Sequence, residues 1–340
     1  MKKVLVIGGA GYVGSVLVPK ILDLQYPVRV LDTLWFGSDL IELCASRAGQ
    51  VSAQIAFWKN DARSCNLKAV MENVDTIIHL ACISNDPSFE LDRNIGRSIN
   101  YDAFLRVLDA AVAAKVRRFI YASSSSVYGV KNAGVEVTEE LSLEPITDYS
   151  KFKAFCEMEL RMIGQDKMEW VILRPATVCG WSPRLRLDLT VNILTLSALT
   201  KKKITVFGGA QKRPNIHIED MADLYVQLIS EPSERVGGKI FNAGVDNLKI
   251  SQIAEMVKEV VEGYGAGPIA IETTPTNDMR SYHVSSEKIG RELGWRPKFG
   301  VENAIRDLCQ AFFDGKIPNP DDPRYYNIRV MQNLLKEGRT

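Results

Sequence analysis

Tyr149 and Lys153 stand four residues apart in a stretch whose apolar residues Phe152, Cys156, Leu160 and Ile163 recur at helical spacing. Both side chains therefore project from one face of a helix, one above the other. A phenol titrates near pH 10 and serves as a base only where a positive charge held close favours its phenolate. Lys153 can supply part of that charge. The four serines at 123–126, followed by Val127-Tyr128-Gly129, come directly after the apolar stretch 119–122. Open parallel sheets bind ligands at the carboxyl ends of their strands. A hydroxyl there could hold the substrate oxygen whose proton the tyrosine removes. Taken singly, a Tyr-x-x-x-Lys pair also fits a solvated helix face and a serine run fits a plain loop. Four serines in a row leave the active one open.

A second constellation opens the chain. Residues 4–7 form a short apolar run ended by Gly8-Gly9, and 13–24 read as a helix, giving strand, turn, helix. Gly9-Ala10-Gly11-Tyr12-Val13-Gly14 fits G-x-G-x-x-G, and Gly8, Gly11 and Gly14 fit G-x-x-G-x-x-G. Such glycines make a tight turn, let the backbone approach a pyrophosphate, and pack helix closely on strand. The helix amides then meet the phosphates. Asp32 closes the next strand, 27–31, about 20 positions further on. Its carboxylate can accept hydrogen bonds from both ribose hydroxyls and repels a 2′-phosphate, and Thr33, Leu34 and Trp35 bring no cation to neutralise one. The residues point to NAD over NADP.

Holding these groups together requires a sheet. Apolar runs at 55–58, 75–80, 119–122 and 171–173 follow the first two strands, separated by helix-length segments such as Ile95, Ile99, Ala103, Val107, Ala111 and Ala114. That alternation predicts an α/β fold over 1–175, a Rossmann-type doubly wound parallel sheet covered on both faces. After Pro175 the rhythm lapses at Pro183, Pro214, Pro232, Pro268, Pro275 and Pro297. Residues 176–315 read as a smaller mixed α/β substrate lobe, with segments free to return to the sheet. It carries helical stretches at 189–199, 221–229, 253–261 and 303–313. The tail, 316–340, holds Tyr325, Tyr326 and a short amphipathic segment expected to pack across the surface or onto a partner subunit.

The 340 residues carry 42 Lys+Arg against 41 Asp+Glu. This balance gives no electrostatic reason to expect nucleic acid or an anionic membrane as partner. No apolar stretch approaches the length that spans a bilayer. The six cysteines form no C-x-x-C pair and have no His at metal-ligand spacing, so reduced thiols, no metal and a cytoplasmic location are expected.

The chain resembles the extended short-chain dehydrogenases/reductases of the nucleotide-sugar epimerase/dehydratase family over nearly its whole length. The likeness rests on Gly8-x-x-Gly11-x-x-Gly14, His79-Leu80-Ala81, the Ser-Ser-x-x-Val127-Tyr128-Gly129 run, Tyr149-x-x-x-Lys153, Leu173-Arg174-Pro175, the segment from Arg213 to Asp220, and Arg291-Glu292-Leu293-Gly294-Trp295. The resemblance implies that Ser124, three residues before the Val of V-Y-G, is the catalytic hydroxyl. Tyr149 becomes the base, and Lys153 tunes it and binds the nicotinamide ribose. Gly8, Gly11, Tyr12, Val13, Gly14, Asp32, Asp61, Ala62, Leu80, Ala81 and Pro175 are expected around the NAD. Asn100 matches a family Asn expected to be architectural. A homodimer through the helices holding Asn100 and Tyr149 is expected.

Departures narrow the reaction. Family 4,6-dehydratases usually carry Asp-Glu after the catalytic Thr, where this chain has Ser125 and Ser126; dehydration is disfavoured. Thr177 stands where many relatives have Asn, Arg213 is retained before Pro214, and Pro275 replaces an Arg, leaving Asp278 and Arg280. Ser124, Ser125, Thr177, Arg184, Arg186, Asn192, Arg213 and Arg280 are the expected contacts of a nucleoside-diphospho-sugar. For the less family-specific of these, a surface salt bridge is the competing role. The implied activity oxidises sugar C4 by hydride transfer to NAD and returns the hydride, a 4-epimerisation. Net C4 dehydrogenation, as of a GDP-heptose, and decarboxylation of a UDP-hexuronate use the same groups. A nucleotide sensor without turnover typically lacks the Tyr/Lys pair.

Overall fold

The computed structural model describes residues 2–46, 55–131, 135–276 and 283–340. Its strands are β1 (Lys3–Ile7), β2 (Val28–Asp32), β3 (Ile55–Lys59), β4 (Val74–His79), β5 (Arg118–Ala122), β6 (Glu169–Pro175), β7 (Thr177–Cys179), β8 (Lys203–Phe207), β9 (Lys212–His217), β10 (Lys239–Ala243), β11 (Asp246–Lys249) and β12 (Ala270–Thr274). Seven of them form one parallel sheet in the order β10-β6-β5-β4-β1-β2-β3. Strand order reverses between β1 and β4. The connections leaving those two strands diverge to opposite faces and open a crevice at their carboxyl ends, where doubly wound sheets bind ligands.

The strands read as continuous apolar runs because both faces are covered. Val4, Val6, Val28 and Val30 point to one side and pack with Leu17, Ile21 and Leu224, from helices Gly14–Asp23 and Ile218–Ser230. Leu5, Ile7, Ile77 and Phe119 point to the other, against Phe104, Val107, Cys156 and Leu160 of helices Ala103–Ala113 and Asp148–Gly164. One residue of shift in any strand would exchange the two faces.

Two features of the sheet come from beyond Pro175. Strand β10 pairs with β6, with Phe241 opposite Leu173, and helix Ile218–Ser230 covers the sheet beside helix Gly14–Asp23. The remaining strands form the sheets β11-β9-β7 and β12-β8. Helices Thr190–Lys201, Ile250–Gly263 and Val301–Phe313 pack on one another beside them.

The helical pattern running from Ile95 to Ala114 is not one regular helix. Helix Arg93–Arg97 passes through a π-helical turn, Ser98–Asp102, into Ala103–Ala113. The extra residue in that turn carries Asn100, whose side chain accepts from the Ile83 amide at 2.7 Å and donates to the Ile83 carbonyl at 3.0 Å. Apolar spacing survives across such a bulge, which is why the pattern reads as continuous. The tail turns back over its own chain. Met331 and Leu334 of helix Asn327–Lys336 pack with Ile83 and Phe89, against the partly buried Trp35, Phe36 and Tyr149.

Candidate active site

The glycine turn is shaped by contacts that allow no side chain. Gly8 has φ +81°, and a Cβ there would lie 2.5 Å from the Ala81 amide nitrogen. A Cβ on Gly14 would lie 2.2 Å from the Gly9 carbonyl oxygen, so helix and strand approach as closely as backbone allows. A Cβ on Gly11 would meet only the Gly8 carbonyl of its own turn, at 3.3 Å. Packing therefore leaves room at Gly11 on the side of the cavity. Asp32 accepts from the Ala10 amide at 3.0 Å and from the Leu34 amide at 2.8 Å, tying the end of β2 to the turn. Burial raises its pKa against those two amides, which pull it down. At the end of β3, Asp61 is clasped by Arg63 at 2.6 Å, and Arg63 lies over the Trp35 ring. Burial works to raise the Asp61 carboxyl, but Arg63 outweighs it and the net shift is downward.

Tyr149 sits in the first turn of helix Asp148–Gly164. Thr147 caps that helix: its hydroxyl accepts from the Ser150 amide at 3.3 Å, and Ser150 Oγ accepts from the Thr147 amide at 3.1 Å. Thr147 also bonds Asp86 at 2.7 Å, fixing the start of the helix against the connection after β4. Ser124 shares the cavity wall with Tyr149, and its hydroxyl draws the phenol's pKa down. Lys153, one helical turn on, donates to the Ala122 carbonyl at 2.6 Å, with its ammonium 5.9 Å from the centre of the Tyr149 ring. Burial pushes the Tyr149 phenol above its ordinary value and Cys82 adds to that, whereas Arg186 and the Ser124 hydroxyl pull it back.

The serine run divides by partner. Ser123 donates to Glu157, which holds Arg174 in a buried ion pair at 2.6 Å. Arg174 bonds the Tyr128 hydroxyl at 2.8 Å, and Tyr128 bonds Asn242 of β10 at 2.7 Å. Ser124 is instead bonded to Ser126, hydroxyl to hydroxyl at 2.9 Å, and of the four it is the one whose hydroxyl acts on the Tyr149 phenol.

These groups line one cavity of about 450 Å³. Its wall contains Gly8, Gly11, Tyr12, Val13, Gly14, Asp32, Asp61, Ala62, Leu80, Ala81 and Pro175 together with Ser124, Ser125, Tyr149, Lys153, Thr177, Arg184, Arg186 and Arg213. Asn192 is a correction. It is fully buried behind the wall, donating to Tyr12 Oη at 3.1 Å and the Arg186 carbonyl at 2.8 Å and accepting from the Gly180 amide at 3.1 Å. Its amide is engaged in holding the turn after β7 onto the glycine loop, and it is not among the residues of the cavity wall. Arg280 and Asp278 lie outside the described residues.

Several wall residues carry no local signature in the sequence. Trp35 and Phe36 follow β2, Ser84 and Asn85 follow β4, and Asn327 begins the last helix. Arg186 donates to Asp188 at 2.9 Å and to Ser84 at 2.8 Å, and Arg184 donates to Asn327 Oδ1 at 2.6 Å. Yet Arg184 Nε and Arg186 Nη2 are buried without a hydrogen-bond partner. Both guanidinium groups contribute to the cavity wall, and a cationic fork there is suited to an anion such as a phosphate. Among the described residues no cluster of His, Cys, Asp or Glu could hold a metal, and no helix is long and apolar enough to cross a membrane.

His79, at the carboxyl end of β4, is buried among Phe104, Phe119 and Tyr121. Burial, then the charge of Lys153, pushes its pKa down to about 3. The unfolded chain binds that proton near pH 6.5 and the native one does not. Its contribution to stability is therefore complete above about pH 6.5 and is lost as pH falls towards 3, at up to about 1.4 kcal/mol per pH unit. Urea unfolding across that window should show a shallower pH dependence for His79→Asn than for wild type; equal slopes would mean another group carries it.

A profile of the NAD dependent epimerase/dehydratase family matches residues 4–244. A UDP-glucose 4-epimerase of Cyamopsis tetragonoloba is 27% identical over 335 residues, covering 89% of this chain and 93% of its own. A UDP-glucose 4-epimerase of Lactobacillus helveticus is 27% identical over 319 residues, covering 87% and 92%. Among solved structures, a UDP-glucuronic acid 4-epimerase from Bacillus cereus, in complex with UDP-glucuronic acid and NAD, superposes with a TM-score of 0.81 at 23% identity. That superposition covers 92% of this chain and 99% of the other and shows a common fold. The parallel sheet, the glycine turn at its switch point and the Tyr149–Lys153 pair beside it agree with the sequence match: the chain belongs to the NAD dependent epimerase/dehydratase family.

Proposed function

We propose that the protein is a nucleotide-sugar 4-epimerase acting through Ser124, Tyr149 and Lys153. The observation that carries this reading is the meeting of a buried phenol, a serine hydroxyl and a lysine ammonium on the wall of one cavity at the β1/β4 switch point. The cofactor site fits NAD: room at Gly11, the start of helix Gly14–Asp23 and the Asp32 carboxylate suit a pyrophosphate and a ribose. When bound, NAD supplies the oxidant that takes up the hydride of the sugar C4.

The chain's own residues handle the proton. Ser124 Oγ holds the C4 oxygen while Tyr149 Oη takes the hydroxyl proton, and the same groups return it to the ketone. Burial alone keeps the phenol protonated, so the adjacent Lys153 ammonium and the pyridinium's positive charge are needed to favour phenolate. Arg186 and Arg213 line the side of the cavity where a substrate diphosphate would sit, and Arg186 already acts electrostatically on Tyr149. The only carboxylates among the described wall residues are Asp32 and Asp61. Neither is beside Ser124 in the chain, and Ser125 and Ser126 bring no acid, which supports retention of the sugar's water.

The test is mass spectrometry of the protein incubated with UDP-, GDP-, CDP- and dTDP-sugars. An isomer of unchanged mass is expected. Loss of two hydrogens would replace the proposal with net C4 dehydrogenation, release of carbon dioxide from UDP-glucuronate with decarboxylation, and absence of any product would remove the enzyme reading.

A further inference from the structure

We propose that Arg184, held in place by Asn327 of the C-terminal helix, is a ligand for the cofactor's pyrophosphate and not for the substrate's diphosphate, so that the tail clamps the dinucleotide. The inference rests on the NAD reading above and adds to it a residue and an element outside the dinucleotide-binding half.

Three connections place Arg184 beside the glycine turn. Ser182, two residues earlier, donates to the Tyr12 carbonyl at 2.7 Å, and the Tyr12 hydroxyl donates to the Gly180 carbonyl at 2.6 Å. The segment leading to Arg184 is thus bonded on both sides to the residue that follows Gly11. Beyond it, the guanidinium stacks 4.6 Å from the centre of the Phe36 ring, on the connection that leaves β2 after Asp32. The cation therefore lies between the phosphate-facing turn and the ribose-facing carboxylate. In a bound dinucleotide the group between those two contacts is the pyrophosphate.

Charge and hydrogen bonding point the same way. Arg184 is 3% exposed and lines the cavity, and its Nε has no partner. Burial, then repulsion from Arg186, lowers its pKa to about 9, so it stays charged at neutral pH. It feels the fields of Asp188, Asp39 and Asp32, but none is within ion-pair distance among the described residues. Arg186, by contrast, already has Asp188 and acts on Tyr149. The two arginines lie close enough to repel, and only Arg186 has a carboxylate in ion-pair contact among the described residues. Asn327 fixes the Arg184 fork at 2.6 Å, donates to Ser84 Oγ at 3.1 Å, and its amide donates to Asp188 at 3.0 Å. The last helix thereby fixes Arg184 on the cavity wall.

The test uses the NAD-loaded enzyme. Bound cofactor is chased with isotopically labelled NAD, and UDP binding is measured separately by calorimetry. Arg184→Met should speed cofactor exchange by roughly 10- to 100-fold, as loss of a charge-assisted hydrogen bond predicts, while leaving UDP affinity within about twofold. Asn327→Ala, which keeps the cation but frees it, should speed exchange by a smaller factor and keeps the test open should Arg184→Met fail to fold. Weakened UDP binding with unchanged exchange would overturn the assignment and return Arg184 to the substrate. Unchanged exchange and unchanged UDP binding would overturn it in favour of a purely structural arginine. Wild-type protein that holds no NAD would instead sink the cofactor reading itself, a result distinct from either.

Discussion

Tyr149→Phe is expected to lower turnover of a nucleotide-sugar by roughly 10²- to 10⁴-fold while leaving the bound NAD at its wild-type level. The substitution removes one oxygen from a side chain whose ring packs under the last helix, beside Ile83 and Phe89, and those apolar contacts remain. What disappears is the phenol that, beside Ser124 on the cavity wall, would take a proton from a carbinol. Because the proton moves only as the C4 hydride leaves, the loss should appear in kcat, with KM nearly unchanged. Cofactor content after purification and single-turnover absorbance of the reduced nicotinamide separate the two effects. Turnover within tenfold of wild type would take Tyr149 out of the chemistry and leave Ser124 without its partner. Loss of NAD along with activity would make Tyr149 a cofactor anchor.

The parts of this site that sequence reasoning reaches are those where a single backbone event brings residues together. A glycine turn, the carboxylate ending the next strand and a tyrosine one helical turn from a lysine are each decided within a few residues, and periodicity places each on its element. The parallel sheet is legible for the same reason, since strands buried on both faces must be apolar throughout. Asn192 shows where this fails: it follows Arg184 and Arg186 closely enough to suggest a shared ligand, but helix Thr190–Lys201 turns its amide inward to Gly180 and Tyr12. Asn327 is the opposite case. It meets Arg184 across 143 positions of chain, and nothing near it in sequence marks it. The serine run needed the third dimension as well, because Ser123 and Ser124 differ only in whether Glu157 or Tyr149 stands opposite. Likewise β10, which carries Asn242 to Tyr128, is a short apolar run beyond the prolines whose pairing partner no local pattern names.

Glu157→Ala should destabilise the fold by about 3–5 kcal/mol, because it strands the Arg174 cation in a site where both partners are only 3% exposed. A fall of roughly 5–10 °C in the thermal midpoint is the corresponding observable. Replacing both residues, as Glu157→Leu with Arg174→Leu, should recover most of that loss, since taking two charges out of water costs about as much as their attraction returns. Activity should not recover with it. Glu157 is the acceptor of the Ser123 hydroxyl, and Arg174 braces Tyr128 at the far end of the same turn. With both gone, the turn carrying Ser124 loses its side-chain tie at Ser123 and keeps that of Tyr128 to Asn242. A displacement of about 1 Å in a positioning group can cost on the order of 100-fold in rate, so the double variant should be near wild type in stability and well below it in kcat. A double variant as unstable as Glu157→Ala would mean that the pair is net favourable in this core. One that is stable and fully active would mean that the turn holds Ser124 without it, leaving the network a role in folding alone.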